Sequence, residues 1–299
     1  MSGQLKEVRE RIGSVKSTQQ ITKAMKMVSA AKLRKAQQAI TEMRPYADRL
    51  NKMLVNILSN LEGDVTTSFG TEREVKSVAF AVVTSNKGLC GAFNANVVKA
   101  AIAKIEKKYQ DHYNSGNLTI LCIGKKGYEA LKKKYPNANF NLEYVNLITD
   151  LTFDNVAEAS GVLMDGFVDG TYDVVELCYG QFKNAALQLP QANQFLPVAK
   201  MEGTGTGEEQ GGNADYIFEP SKTVLLENLV PSILQTTFHK GVLETHASEH
   251  GARMTAMDSA TENAEELLKT LKISYNKARQ EAITKELSEI VGGAAALGG

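Results

Sequence analysis

From Leu5 onward the apolar positions of the chain step by three and four, through Val8, Ile12 and Val15. After a skip the rhythm resumes at Thr18, Ile21, Met25 and Val28, and it returns at Leu50, Met53, Ile57 and Leu61. Such alternation is the seam of a coiled coil, and the skip predicts a shift of phase within it. Glycine interrupts only at Gly3 and Gly13 before Gly63. The pattern therefore predicts one helix of about 55 residues, roughly 85 Å at 1.5 Å per residue. Pro45 is expected to kink or locally break it, because proline lacks the backbone donor and crowds the preceding turn. The far end repeats the scheme. His250, Met254, Met257, Thr261, Ala264, Leu268, Leu271, Tyr275, Ala278 and Ala282 alternate steps of four and three. Ser221, after Pro220, suits an N-cap, and a helix to about Val291 would span roughly 100 Å with a bend at Pro231. Neither seam is rich in leucine, and alanine, methionine and threonine are common, which allows close approach but a looser hold.

Between these ends the pattern changes. "VKSVAFAVVTS" (75–85) is a buried-strand run, 91–110 a helix, "LTILCIG" a strand, "KKGYEALKKKY" a helix, "NFNLEYVNL" a strand and 153–168 a helix. "YDVVELCYGQF" and "QANQFLPV" close the series as a hairpin. Strand–helix alternation at this spacing implies a small, mostly parallel Rossmann-like sheet. The expected fold is thus α/β: a long antiparallel coiled coil of N- and C-terminal helices plus a central Rossmann-like α/β head. The expected boundaries are 1–62 for the first helix, 72–200 for the head and 201–220 for a flexible loop built on "GTGTGEEQGGNA". The second helix is placed at 221–292 and a small apolar tail at 293–299.

Composition adds one feature. The chain balances 34 basic against 34 acidic residues. Yet Arg11, Lys16, Lys23, Lys26, Lys32, Arg34 and Lys35 fall in residues 11–41 with no acid among them. A neutral whole argues against general attraction to nucleic acid, though not against a local patch. Cys90, Cys122 and Cys178 are odd in number and far apart, which fits reduced thiols in a cytosolic compartment. No apolar stretch approaches the ~20 residues that span a bilayer. The N-terminus lacks signal- or transit-peptide character, so membrane association would come through a partner.

Chemistry is sparse. "TSNKGLCGAF" (84–93) leads from a strand to a helix, where a phosphate could sit, but its glycines fit neither GxGxxG nor the P-loop. "IGKKGY" (123–128) fails the same test. His246, Glu249 and His250 match the HxxEH zinc-peptidase pattern, with both histidines on one helical face. No third ligand is evident, and a hydrated stretch of coiled coil explains them as well. The basic run admits three readings: a solvated face, an arm along nucleic-acid phosphates, or a surface for acidic loops of a partner. No aromatic residue interleaves the positive ones, as single-strand binding would favour.

"ITKAMKMVSAAKLRKAQ", "MRPYADRL", "TSNKGLCGAFNANV" and "ASEHGARMTAMDSAT" resemble the gamma subunit of the F-type ATP synthase. "ITKELSEIVGGAAA" (283–296) is similar to that family's C-terminal signature, with Ile283, Thr284, Glu286, Glu289, Gly293 and Ala294. The resemblance runs from end to end and is weakest at 199–220. It implies a central rotor shaft inside a ring of three alpha and three beta subunits, with the head and the epsilon subunit on the c-ring. Proton flow would turn the shaft and drive ATP synthesis at the beta sites. It implies no catalytic residue, no cofactor, no metal and no nucleic acid, and membrane contact only through the Fo sector.

Carried over by position, the resemblance makes Lys23, Met25 and Lys26 the residues met by acidic lever loops of the beta subunits. Arg253, Gln280 and Thr284 would meet a catch loop. The absence of a transit peptide and of a chloroplast-type cysteine insert suggests a bacterial inner membrane, peripheral on the cytoplasmic side. The rivals are an α/β nucleotide- or metal-binding enzyme with a helical dimerisation arm, and a nucleic-acid-binding coiled coil whose affinity would collapse with salt. Equilibrium dialysis of the isolated chain against ATP and zinc separates the first pair: the shaft predicts no tight stoichiometric binding of either, the enzyme predicts it.

Overall fold

The computed structural model describes residues 2–59, 68–198 and 222–297. Its elements in chain order are α1 (Ser2–Ser59), β1 (Val78–Val83), α2 (Phe93–Lys108), a short α3 (Gln110–Asn114), β2 (Leu118–Ile123) and α4 (Lys125–Lys134). There follow β3 (Asn139–Asn141), a 3-10 turn (Leu147–Thr149), α5 (Phe153–Val168), β4 (Val174–Phe182), β5 (Gln188–Leu196) and α6 (Lys222–Leu297). The chain forms two compact units: one holds the N-terminal residues up to Ala30 and the C-terminal ones from Arg253, the other Ala31–Ala252.

The larger unit is built on a five-stranded sheet of order β3-β2-β1-β4-β5. β1 pairs in parallel with β2 and β4, β2 in parallel with β3, and only the β4–β5 hairpin is antiparallel. Every residue of β1 is buried, which explains its unbroken apolar run: a parallel strand covered on both faces has no solvent side to make polar. Ala79, Ala81 and Val83 point to one core, with Leu163 and Phe167 of α5. Val78, Phe80 and Val82 point to the other, with Val97, Ala101 and Ile105 of α2 and Leu131 of α4.

Val230, Leu234, Phe238 and Val242 of α6 also belong to the first core. Expected only as coiled-coil residues, they cover the sheet instead, at the four-residue spacing of one helical face. Farther along α6, Thr245 and Ser248 satisfy both backbone groups of Gly180 in β4. The Gly180 amide donates to Thr245 Oγ1 at 3.1 Å, and Ser248 Oγ donates to the Gly180 carbonyl at 2.9 Å. A Cβ on Gly180 would lie 2.4 Å from the Phe93 ring, so only glycine lets these layers meet.

Four expectations change. "NFNLEYVNL" is a strand only over Asn139–Asn141. Asn141 Oδ1 accepts the Glu143 amide at 3.0 Å, an Asx turn that ends pairing, and turns carry the rest. Pro45 lies inside continuous helix and does not break α1; Pro231, where a bend was expected, likewise lies inside α6. α6 runs to Leu297, past the point where an apolar tail was expected, because Gly292 and Gly293 do not stop it. The glycine-rich loop, Ser221 and Leu61 lie outside the described residues.

The fourth change is in the α1 seam. There is no shift of phase. Leu5, Val8, Ile12, Val15, Gln19, Thr22, Lys26, Ser29, Leu33, Ala36, Ile40, Met43, Ala47 and Leu50 keep one unbroken 3–4 rhythm, all buried or half-buried. Thr18, Ile21, Val28 and Met53 are exposed, Ile21 and Val28 by 59% and 58%. The seam stays in register by becoming polar, which an apolar-only template reads as a skip.

The residues 84–86 of "TSNKGLCGAF" have a structural task. At the N-terminus of α4, Asn86 Oδ1 accepts the Lys125 amide at 3.0 Å, the Ser85 carbonyl accepts Lys126 at 3.1 Å, and Thr84 Oγ1 accepts Gly127 at 2.9 Å. Three amides that a helix start leaves without internal partners are thus capped in order. Gly124 precedes them at φ 96°, with Thr84 O 2.1 Å from where a Cβ would be. Thr84→Val should orphan the Gly127 amide and cost about 1–3 kcal/mol. Urea denaturation of the full chain should show a lower midpoint for Thr84→Val and a nearly native one for Thr84→Ser.

Candidate functional site

Within the smaller unit α1 and α6 meet at three described side-chain contacts. Arg9 Nη2 donates to Tyr275 Oη at 2.9 Å, with the guanidinium 5.8 Å from the ring centroid. Thr22 Oγ1 and Thr261 Oγ1 lie 2.7 Å apart, and Lys26 Nζ lies 2.5 Å from Asp258 Oδ1. From Arg9 to Lys26, and from Tyr275 back to Asp258, the helices advance by the same seventeen residues. The pair is antiparallel with constant register. The α6 seam follows expectation: His250, Met257, Thr261, Ala264 and Leu271 are buried, while Met254, Leu268, Tyr275, Ala278 and Ala282 are half-buried.

That register sets where pairing ends. The first helical residue, Ser2, falls opposite the neighbourhood of Ala282, and from Ile283 to Ala294 every α6 residue is exposed. Ile283, Leu287, Ile290 and Val291 are 47–67% exposed and share a face at steps of four and three. This unpaired apolar stripe was not anticipated. Its sequence signal is the same rhythm continuing beyond Ala282 from a different face.

The six expected contact residues occupy different settings. Lys23 is exposed on α1, Met25 beside it is half-buried, and Gln280 and Thr284 are exposed on α6. Thr284 falls where α6 emerges from the pair. Arg253 is only 7% exposed, so little of its guanidinium is presented outward. Lys26 is the exception to the basic run. Arg11, Lys16, Lys23, Lys32, Arg34 and Lys35 are exposed, whereas Lys26 is half-buried and, among the described residues, alone of the seven forms an ion pair. Its partner Asp258 was not anticipated; an acid on the matching face of α6 was the available signal.

The other candidates resolve into packing. His246 and His250 meet edge to face with Nε2 atoms 3.1 Å apart, and among the described residues no group of three potential ligands forms. Buried Glu176 in β4 accepts from Tyr109 Oη at 2.9 Å and pairs with Lys104 Nζ at 3.3 Å. Burial first, then the Glu176 charge, pushes the Tyr109 hydroxyl up from its usual range. Beside the N-terminus of α2, a cleft of about 10 Å³ lined by Phe93, Asn96, Val97, Gly180, Gln188 and Pro190 has room for little more than a water, far below the ~300–1,000 Å³ of usual ligand sites.

The ATP synthase family model matches residues 4–297. The ATP synthase gamma chain of Cytophaga hutchinsonii is 54% identical over 293 residues, 98% of each chain. This chain belongs to the ATP synthase gamma chain family. A second gamma chain, from Flavobacterium johnsoniae, is 52% identical over 296 residues and 99% of both chains. Among solved structures, a chain of the Euglena gracilis mitochondrial ATP synthase (OSCP/F1/c-ring) covers 99% of this one at TM-score 0.66 and 22% identity. At that identity the likeness shows a shared fold. No helix among the described residues is long and apolar enough to cross a membrane.

The three cysteines are buried and unlinked. Burial pushes the Cys122 thiol up to about 12 and raises Cys178 as well. Thiolates are the reactive form, so all three should resist Ellman's reagent at pH 8 in the native chain. Release of about three equivalents only after guanidinium unfolding is the expected result.

Proposed function

We propose that this chain is the central rotor shaft of an F1Fo ATP synthase. It is a non-catalytic subunit, coupling proton flow through the membrane sector to ATP synthesis on the beta subunits. Its partners are the alpha and beta subunits, as an alpha3beta3 ring, the epsilon subunit and the c-ring. Full-length identity to gamma chains carries the reading. The surface agrees with it: six exposed basic side chains in the acid-free run of α1 and an unpaired α6 end with an apolar stripe suit a part that must touch several equivalent partners in turn. Exposed ion pairs are each worth only ~0–1 kcal/mol, which favours contacts that form and break as the shaft turns.

In this reading Lys23, Met25, Gln280 and Thr284 face the stator, and Arg253 supports that surface from beneath. Lys26 reaches the stator only with the part of its side chain not engaged by Asp258. The complex is assigned to a bacterial inner membrane, with this chain peripheral on the cytoplasmic side. The bacterial origin of the relatives at 54% and 52% identity supports that assignment.

An affinity-tagged chain should bring alpha, beta, epsilon and c subunits from detergent-solubilised native membranes; recovery alone would overturn the reading. Lys23→Glu should lower ATP-driven proton pumping several-fold more than ATP hydrolysis in the assembled complex. Equal loss of both would remove Lys23 from the stator surface.

A further inference from the structure

We infer that Thr22, Thr261, Lys26 and Asp258 form a register lock for the helical pair, and that Lys26 serves coupling through Asp258 rather than through a carboxylate on the stator. The functional half of this inference rests on the rotor reading above.

The need for a lock follows from the seam. Between Val15 and Leu33 the seam positions of α1 are Gln19, Thr22, Lys26 and Ser29, with no large apolar side chain. Apolar knobs select register by filling matched holes, and polar seam residues select it by direction instead. Here the direction is explicit. Thr22 Oγ1 lies 3.0 Å from the Gln19 carbonyl and Thr261 Oγ1 2.7 Å from the Met257 carbonyl. Each hydroxyl has one proton, so at a separation of 2.7 Å one must turn from its own helix and donate across to the other. That bond exists only while the two threonines are level.

Lys26–Asp258 lies one turn away on the same flank, with side chains 40% and 47% exposed. A pair this open contributes little to stability. Its effect is selective. A slip of α6 by one heptad in one direction would place Lys26 against Glu265 but Thr22 against Leu268. A slip in the other direction would offer Lys26 only Gly251 and Thr22 only Met254. Neither alternative satisfies both groups, so the two contacts together admit a single register. A shaft must keep its helices from sliding when torque is applied, and among the described residues these are the two side-chain contacts that cross the pair in this stretch.

Charge exchange separates this idea from direct stator contact. Lys26→Asp leaves two acids facing each other, and Asp258→Lys leaves two bases. Each single variant should lower proton pumping relative to hydrolysis several-fold in assembled complex, and the double exchange should restore at least half of it. A double variant no better than Lys26→Asp alone would overturn the inference, since Lys26 would then act on another subunit. Register is read independently in the isolated full chain. Thr22→Cys with Thr261→Cys should form a disulfide on mild oxidation, detected by peptide mass mapping. Adding Lys26→Asp should cut its yield several-fold, and adding Asp258→Lys to that should restore it. Yields that ignore the charges would sink the lock, whatever the complex does. Failure of the tagged chain to recover alpha and beta subunits would instead remove the rotor reading and leave this cross-linking test intact.

Discussion

Between Val15 and Leu33 the seam of α1 is polar or small, and such a surface does not by itself tell one helix where along the other to stop. Register in that stretch therefore depends on a few directional groups. The threonine pair fixes level and the ion pair beside it fixes sense, while Arg9 and Tyr275 keep the same offset nearer the end. Once the offset is set, much else follows. It decides that α6 outlasts its partner near Ala282, and so which apolar residues are left without a neighbour.

The larger unit solves a different problem. Its sheet is buried on both faces, so each strand must supply apolar residues in both directions, and helices must cover each side. α6 takes part in this with Phe238 and Val242, and its hydroxyls at Thr245 and Ser248 close the hydrogen-bond account of Gly180. The wholly buried carboxylate of Glu176 is tolerated because Tyr109 and Lys104 both reach its Oε1.

How much of this was legible depended on what each residue spends its side chain on. The α6 seam was readable because its core positions are mostly apolar or small. The α1 seam was misread in the middle because Gln19, Thr22 and Ser29 hold seam positions by hydrogen bonding or small size, while Ile21 and Val28 are apolar and face outward. Strand β1 was plain from its continuous apolar run, whereas Tyr144 imitated a strand residue by burying itself from a turn. The motifs proposed six contact residues without telling their settings apart: Lys23 is exposed, whereas Arg253 is almost wholly covered. Lys26 looked like a member of a basic patch because its acid lies 232 residues away.

The cap of Thr84, Ser85 and Asn86 on α4 has a consequence for how the α/β unit responds to its surroundings. In sheets of this type the corner between a strand end and a helix start is where nucleotides commonly lodge. Here the chain has filled that corner with its own groups, and an incoming phosphate would have to displace three hydrogen bonds already made. The three helix-start amides that a phosphate would use at that corner are thereby already committed to the strand that precedes them in space.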